Sequence, residues 1–383
     1  MKTKTLLLTA CLFLTGCTTP GKNSVSLSSD SLIKVTDRIG REVKLHKKDA
    51  ERVLCIGAGA LRRYSYIGDR KKIIAAEDID RNVSANIFQD VSRPYYDVNK
   101  EYLSTLPSCG KGGPQAQRAE TEKILSCAPS LIISEYEDVD KANTLQAKTG
   151  VPVLVVKYGS KSVFDPNVGA SFTLLGKALG KEERAKHLNN YILSCETELK
   201  KKAANTNQTQ TKAVYVGCLG NWGTQDIFST SSSFPLLDVS SIPNAVKGVS
   251  LSNGKLEEEA FLFLNPETIV LDSAGLRKFK QTYNAKKDEL DSLKAFRNNE
   301  IYLERPFNAY YTNLEIALRD AYYLASIAYP EAYKDRNRVA KYDEIGTAFL
   351  SAPCYTTSVK TAKMSYGGFQ KITDLDAFLS QIA

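Results

Sequence analysis

The sequence predicts an α/β protein: two Rossmann-like lobes joined by a single long bridging helix. Three observations predict it. A compact apolar strand, Arg52-Val53-Leu54-Cys55-Ile56-Gly57, runs into small residues and then a helix, which is how an α/β unit opens. A helix–proline–strand unit occurs twice, starting at Glu122 and again at Glu259. Between the copies, Lys181 to Asn205 reads as one uninterrupted amphipathic helix.

The N-terminus reads as an export signal spanning residues 1–17. Lys2 and Lys4 supply positive charge, and Leu6 to Leu14 is almost wholly apolar. That run is short of the roughly 20 residues that cross a bilayer and matches a signal-peptide core. It ends in Leu14-Thr15-Gly16-Cys17, which resembles a bacterial lipobox; that resemblance implies lipidation of Cys17. The alternative is an ordinary signal with a chance cysteine. Residues 18–31 are rich in Ser, Thr, Gly and Asn, too polar to order themselves, and read as a flexible tether.

The first lobe is expected over residues 32–180. Val35 to Val43 reads as two short strands around a turn at Asp37 and Gly40. Further apolar strands are expected at Arg52–Gly57, Lys72–Ala76, Ser130–Ser134 and Pro152–Lys157, with helices between. Lys161 to Gly180 has helical character and ends on glycine. The bridging helix, 181–205, carries acids near its start and lysines near its end, complementing its dipole. Its apolar residues recur every three or four positions, and its length of about 37 Å at 1.5 Å per residue suffices to join two lobes. The second lobe, 206–383, restarts the pattern with strands at Ala213–Gly217, Glu267–Asp272 and Glu300–Leu303 and a helix at Asn313–Ala328. The stretch from Ile345 onward is mixed.

The repeat is the most informative feature. In both Glu122–Ile133 and Glu259–Val270 a proline stands seven residues after the glutamate and an apolar strand follows. Proline ends the helix and turns the chain into the strand.

Composition is ordinary for a globular protein, with 43% hydrophobic and 25% charged residues. The net charge of +8 comes from interspersed lysines, with no long basic run and no nucleic-acid motif. Two histidines, His46 and His187, do not make a histidine-rich metal site. Six cysteines remain after Cys11 and Cys17, none in a CxxC pair, and an even number in an exported chain suggests disulfides. No Gly-x-Ser-x-Gly elbow and no HExxH is present, so no enzyme activity and no resident cofactor are expected.

Together the Val-Thr-Asp…Gly-Arg-Glu-Val hairpin, the Arg52-Val53 strand, the Glu…Pro-x-Leu-Ile-Ile unit and Leu324…Tyr329-Pro330-Glu331 resemble the substrate-binding proteins of iron-siderophore, haem and cobalamin ABC importers. The resemblance covers roughly Leu32 to Glu331. It implies ligand capture between two lobes with little hinge motion. It also implies a chain that works as a monomer, delivering a metal chelate to ABC permease and ATPase subunits while held by lipid to the cell membrane or outer membrane. One glutamate per lobe docks on permease arginines in that family, and the matching positions are Glu122 and Glu259. Neighbouring Glu257 and Glu258 leave the second assignment open. The bland alternative is that these are helix-start charges.

Ligands of α/β sheets bind outside the carboxyl ends of the strands. The loops expected there contain Ala58, Leu61, Tyr136, Tyr158, Asn221, Trp222, Arg305, Phe307, Tyr310 and Tyr311, and Tyr95, Tyr96, Lys111 and Gly112 can join them. Tyrosine and tryptophan offer broad contact with a polar handle, and arginine pairs with carboxylate or catecholate. Cys109-Gly110-Lys111-Gly112-Gly113-Pro114 is no P-loop; it binds an anion through backbone amides or simply turns. A competing function is a lipid-anchored adhesin or interaction protein on the same fold; another is a cysteine-ligated redox protein, which the wide cysteine spacing disfavours.

Overall fold

The computed structural model describes residues 31–81, 93–113, 119–159, 162–206, 211–220, 226–308, 310–356 and 368–382. The signal, the lipobox Cys17, nearly all of the tether, and Asn221 and Trp222 lie outside the described residues.

An antiparallel hairpin, β1 (Leu32–Thr36) and β2 (Glu42–His46), precedes the first sheet. Asp37 organises its turn, accepting from the Arg41 backbone N–H at 2.9 Å and from the Arg41 guanidinium at 2.8 Å. Four parallel strands follow: β3 (Val53–Ile56), β4 (Ile73–Ala75), β5 (Leu131–Ser134) and β6 (Val153–Val155), ordered β4-β3-β5-β6. β3, β5 and β6 are buried at every position, as expected of parallel strands covered on both faces. The second sheet holds β7 (Val214–Gly217), β8 (Thr268–Asp272), β9 (Ile301–Glu304) and β10 (Gln370–Ile372), ordered β10-β9-β8-β7. Its edge strand β10 runs antiparallel to β9. This strand lies within the stretch that the sequence left unassigned.

The helix Glu182–Ala204 stands between the two sheets in the chain. Its buried stripe is Ala185, Leu188, Ile192, Cys195, Leu199 and Ala203. The preceding helix, Pro166–Leu179, approaches closely at Gly176, where an added Cβ would lie 2.7 Å from the Ala185 Cβ. The helix is also fastened to the helix Ala60–Ile67 and to C-terminal elements. Arg184 donates to the carbonyls of Tyr66 at 2.9 Å, Ala348 at 2.7 Å and Phe349 at 2.9 Å. Tyr322 donates its hydroxyl to Glu198 at 2.6 Å, and Lys202 reaches the Ala332 carbonyl at 2.6 Å. One apolar core runs through the first lobe, this helix and the helix Leu314–Ala328. A second core lies around β8 and β9, and a third on the other face of the first sheet.

The structure corrects the disulfide expectation. Cys55, Cys109, Cys127, Cys195, Cys218 and Cys354 are all unbridged thiols. All but Cys127 are buried, as small apolar residues among other core side chains. No described helix is long and apolar enough to cross a membrane.

Candidate binding cleft

The turn after β3 builds the first wall. Gly57 and Gly59 have φ of +88° and +90°, a region that glycine enters without strain. An added Cβ on Gly59 would lie 2.6 Å from the Tyr158 hydroxyl oxygen, so the glycine lets the turn tuck against that ring. The helix Ala60–Ile67 starts immediately and places Arg62 and Arg63 in its first turn, both fully buried. Cations at a helix N-terminus oppose the dipole, and each of these is compensated by specific partners. Arg63 forms an ion pair with Glu135 at 3.1 Å and donates to the Lys157 carbonyl at 2.5 Å. Its guanidinium sits 3.8 Å above the centre of the Tyr158 ring, within cation–π range. Burial pushes the Glu135 carboxyl up, and the Arg63 charge offsets part of that rise.

The second wall is the loop after β9. Arg62 crosses to it, its Nη1 donating to the carbonyls of Tyr310 at 2.9 Å and Tyr311 at 3.1 Å. The Tyr311 ring stacks on Tyr158, with centroids 5.6 Å apart and planes 14° from parallel. The Arg93 guanidinium lies 5.0 Å over the Tyr310 ring. Both tyrosines adopt left-handed backbone, with φ of +54° and +62°. Such a conformation costs a side-chain-bearing residue about 1–2 kcal/mol. Asn308 anchors the loop by donating to the Gly220 carbonyl at 2.9 Å.

Beneath these groups runs a buried polar chain. The Arg62 guanidinium lies 5.0 Å over Tyr95, whose hydroxyl donates to Asp80, and Asp80 faces Arg93 at 3.8 Å. Glu77 accepts from the Gly57 backbone N–H at 3.1 Å, and burial pushes its carboxyl up to about 8. In the second lobe, Asp272 and Glu304 face each other across β8 and β9 at their carboxyl ends. Burial raises Asp272 to about 7, and burial plus the neighbouring Asp272 raises Glu304 well above the carboxylate range.

The sequence candidates therefore fall into distinct places. Tyr158, Tyr310 and Tyr311 meet at the cleft. Ala58 and Leu61 are buried at its first wall. Tyr95 belongs to the buried polar chain, and the Tyr96 hydroxyl reaches only the Arg81 carbonyl, at 3.4 Å. Arg305 is fully buried and lowered to about 10 by burial and by Arg319. Phe307 is buried with its ring 6.0 Å from Phe234. Lys111 is exposed; its backbone N–H donates to Glu120 at 2.7 Å, while Gly112 packs so closely on Glu77 that a Cβ would lie 2.4 Å from a carboxylate oxygen. Tyr136 lines a cavity of about 260 Å³ with Thr121, Ser134, Asp140 and Lys148. Another cavity, of about 320 Å³, lies beside Tyr283, Lys287 and Asp376; neither involves the meeting tyrosines. Sequence reasoning missed Arg62 and Arg63. The signal was present: two adjacent arginines open a helix that has no acid in its first turn.

Residues 68–306 match the family of periplasmic binding proteins. The chain belongs to that family. Periplasmic binding proteins of this kind serve ABC transporters outside the cytoplasm, working with permease and ATPase subunits. Solved structures share the fold. A periplasmic solute binding protein from Veillonella parvula is 19% identical, with a TM-score of 0.68 over 88% of this chain and 98% of that one. A TroA-like periplasmic binding protein, FepB, from the same organism is 20% identical, with a TM-score of 0.61 over 84% of this chain and 97% of that one. The molybdate-binding protein MolA of Haemophilus influenzae is 13% identical, with a TM-score of 0.61 over 84% of this chain and 98% of that one. No curated protein matches the chain.

Proposed function

We propose that this periplasmic binding protein captures an anionic metal chelate, foremost an iron complex, between its lobes and delivers it to an ABC permease. The observation that carries this reading is the convergence of Arg62, Arg63, Tyr158, Tyr310 and Tyr311 from opposite lobes. Phenol groups bind anionic oxygens and flat ligand faces, and the buried Arg62 and Arg63 hold the Tyr158 and Tyr311 rings in place, with half of Tyr311 exposed. A metal that arrives already wrapped in oxygen ligands presents that chemistry. Residues 32–180 and 206–383 are the two lobes in this reading, with 181–205 as connector. Cys17 carries the lipid, and two acyl chains suffice for stable anchoring.

Glu122 and Glu259 are the docking carboxylates. Aligning the two units on Pro129 and Pro266 puts Ile124 opposite Phe261, and both of these are fully buried. The same alignment puts Glu122 opposite Glu259, and both of these are exposed. Glu258 is instead paired with Lys286 at 2.5 Å, which favours Glu259 over its neighbour.

The test is a titration of the signal-free protein with ferric siderophores, haemin and cobalamin, followed by Trp222 fluorescence and by calorimetry. Saturable binding of one anionic ferric chelate at about micromolar concentration or below, weakened in Arg62→Ala and Tyr311→Ala, supports the reading. Failure of all three classes to bind refutes it.

A further inference from the structure

The helix Glu258–Leu264 carries an apolar side chain that its own lobe does not use. Phe261 points inward, fully buried, with its ring 4.9 Å from Tyr215 and 5.5 Å from Phe228. Phe263 is 93% exposed, more than any other large apolar side chain among the described residues. It stands four residues after Glu259, one helical turn along the same face. Ala260, also exposed, leaves the ground between them open. The first lobe presents less: the matching position is Ser126, whose hydroxyl turns back to the Lys123 carbonyl at 2.7 Å, and the neighbouring Leu125 is only 41% exposed.

We propose that Phe263 is an apolar anchor that seats the second lobe in a pocket of the permease beside the arginine that receives Glu259. This rests on the reading of Glu122 and Glu259 as docking carboxylates. Continuity with Glu259 on one exposed face argues for the permease as occupant. Charge argues against a lipid surface, because Glu257, Glu258 and Glu259 stand in a row and only Glu258 is neutralised, by Lys286, among the described residues. Anionic headgroups would be repelled. A protein pocket rimmed with arginine accepts the carboxylate and the ring together, and aromatic anchors flanked by charge pairs dominate interface energetics. Because the first lobe offers only the partly covered, non-aromatic Leu125, the two lobes dock unequally, and the ring specifies which permease surface meets the second lobe.

The full-length protein in its native cells, carrying a photo-crosslinking benzoylphenylalanine at one position at a time, tests this. The positions are 123 and 260, exposed neighbours of Glu122 and Glu259 that leave both carboxylates intact, 263 and, as an exposed control on the helix Glu182–Ala204, 193. Cross-links from 123, 260 and 263 to one polytopic permease, identified by peptide sequencing, with none from 193, are the expected result. Cross-links from 123 and 260 without 263 overturn the anchor and leave the docking reading standing. Silence at all three overturns both. A 263 adduct with lipid or with a second copy of this chain also overturns the anchor. As a second measurement, Phe263→Ser is expected to raise at least tenfold the concentration that half-stimulates the reconstituted transporter's ATPase, with the thermal midpoint unmoved. An unchanged half-stimulating concentration refutes the proposal.

Discussion

Arg62 and Tyr310 join the two lobes: the guanidinium of one donates to the main-chain carbonyl of the other at 2.9 Å, with the Tyr311 carbonyl at 3.1 Å on the same nitrogen. Both the donor and the aromatic ring beneath it are buried. Removing the arginine strands two carbonyls in a poorly solvated place. Arg62→Ala is expected to lower unfolding stability by about 3 kcal/mol. Arg62→Lys, which keeps the charge but not the fork, should lose about half as much. Urea unfolding of the three proteins measures this, and equal midpoints would mean that the crossing contact is idle.

Gly59 tolerates an added methyl poorly. It combines φ of +90° with a Cβ position 2.6 Å from the Tyr158 hydroxyl oxygen. Gly150 has φ of +69° but no atom within 4 Å of its Cβ position. Gly150→Ala should therefore cost only the backbone term, about 1 kcal/mol, and Gly59→Ala at least about 2 kcal/mol. Equal losses in denaturant unfolding would show that the ring yields freely.

Glu77 and Asp272 set a pH dependence. Burial raises them to about 8 and about 7, against unfolded values of about 4. Between those limits the folded state holds protons that the unfolded chain has released. Their contribution is fully present below about pH 4 and declines as pH rises through the folded values. The protein should be more stable at pH 5 than at pH 8. Asp272→Asn keeps an acceptor for the Ala274 N–H, which Asp272 now holds at 2.8 Å, and should flatten the slope. Unfolding midpoints that rise from pH 5 to pH 8 would contradict this assignment.

The cysteines should titrate as thiols. Burial raises Cys55, Cys109 and Cys218 above the usual thiol range, which slows reaction with a thiol reagent. Cys127, half-buried, should react first. Unfolding the signal-free protein without reductant should release all six groups, and a smaller number would reveal a disulfide.

Much of the fold was legible in the sequence because its signals are local. Apolar runs with glycine and proline punctuation marked the buried parallel strands, and the stripe through Leu188, Ile192, Cys195 and Leu199 marked the helix Glu182–Ala204 to within one residue at each end. β10 was not legible, since three residues paired at an edge to Ile301–Leu303 carry no periodicity of their own. The candidate site was legible only in part. Tyr158, Tyr310 and Tyr311 follow from the rule that strand ends hold ligands. The crossing from Arg62 to Tyr310 spans 248 positions and depends on two left-handed residues that nothing in Ala309-Tyr310-Tyr311-Thr312 announces. Nor does the disulfide expectation survive, because an even number of cysteines says nothing about which side chains meet.

The core shared by the first lobe and the helix Leu314–Ala328 bears on how the molecule is born. When β3 leaves the ribosome, the segment that will cover its neighbours is some 260 residues from being made, which takes about 13–50 s at ordinary elongation rates. Until then Tyr66, Phe172 and Leu188 lack Leu314, Ile316 and Phe349 as partners. A nascent first half is thus an apolar, adhesive intermediate rather than a finished domain, and its safe maturation falls to whatever escorts the chain until its last third appears.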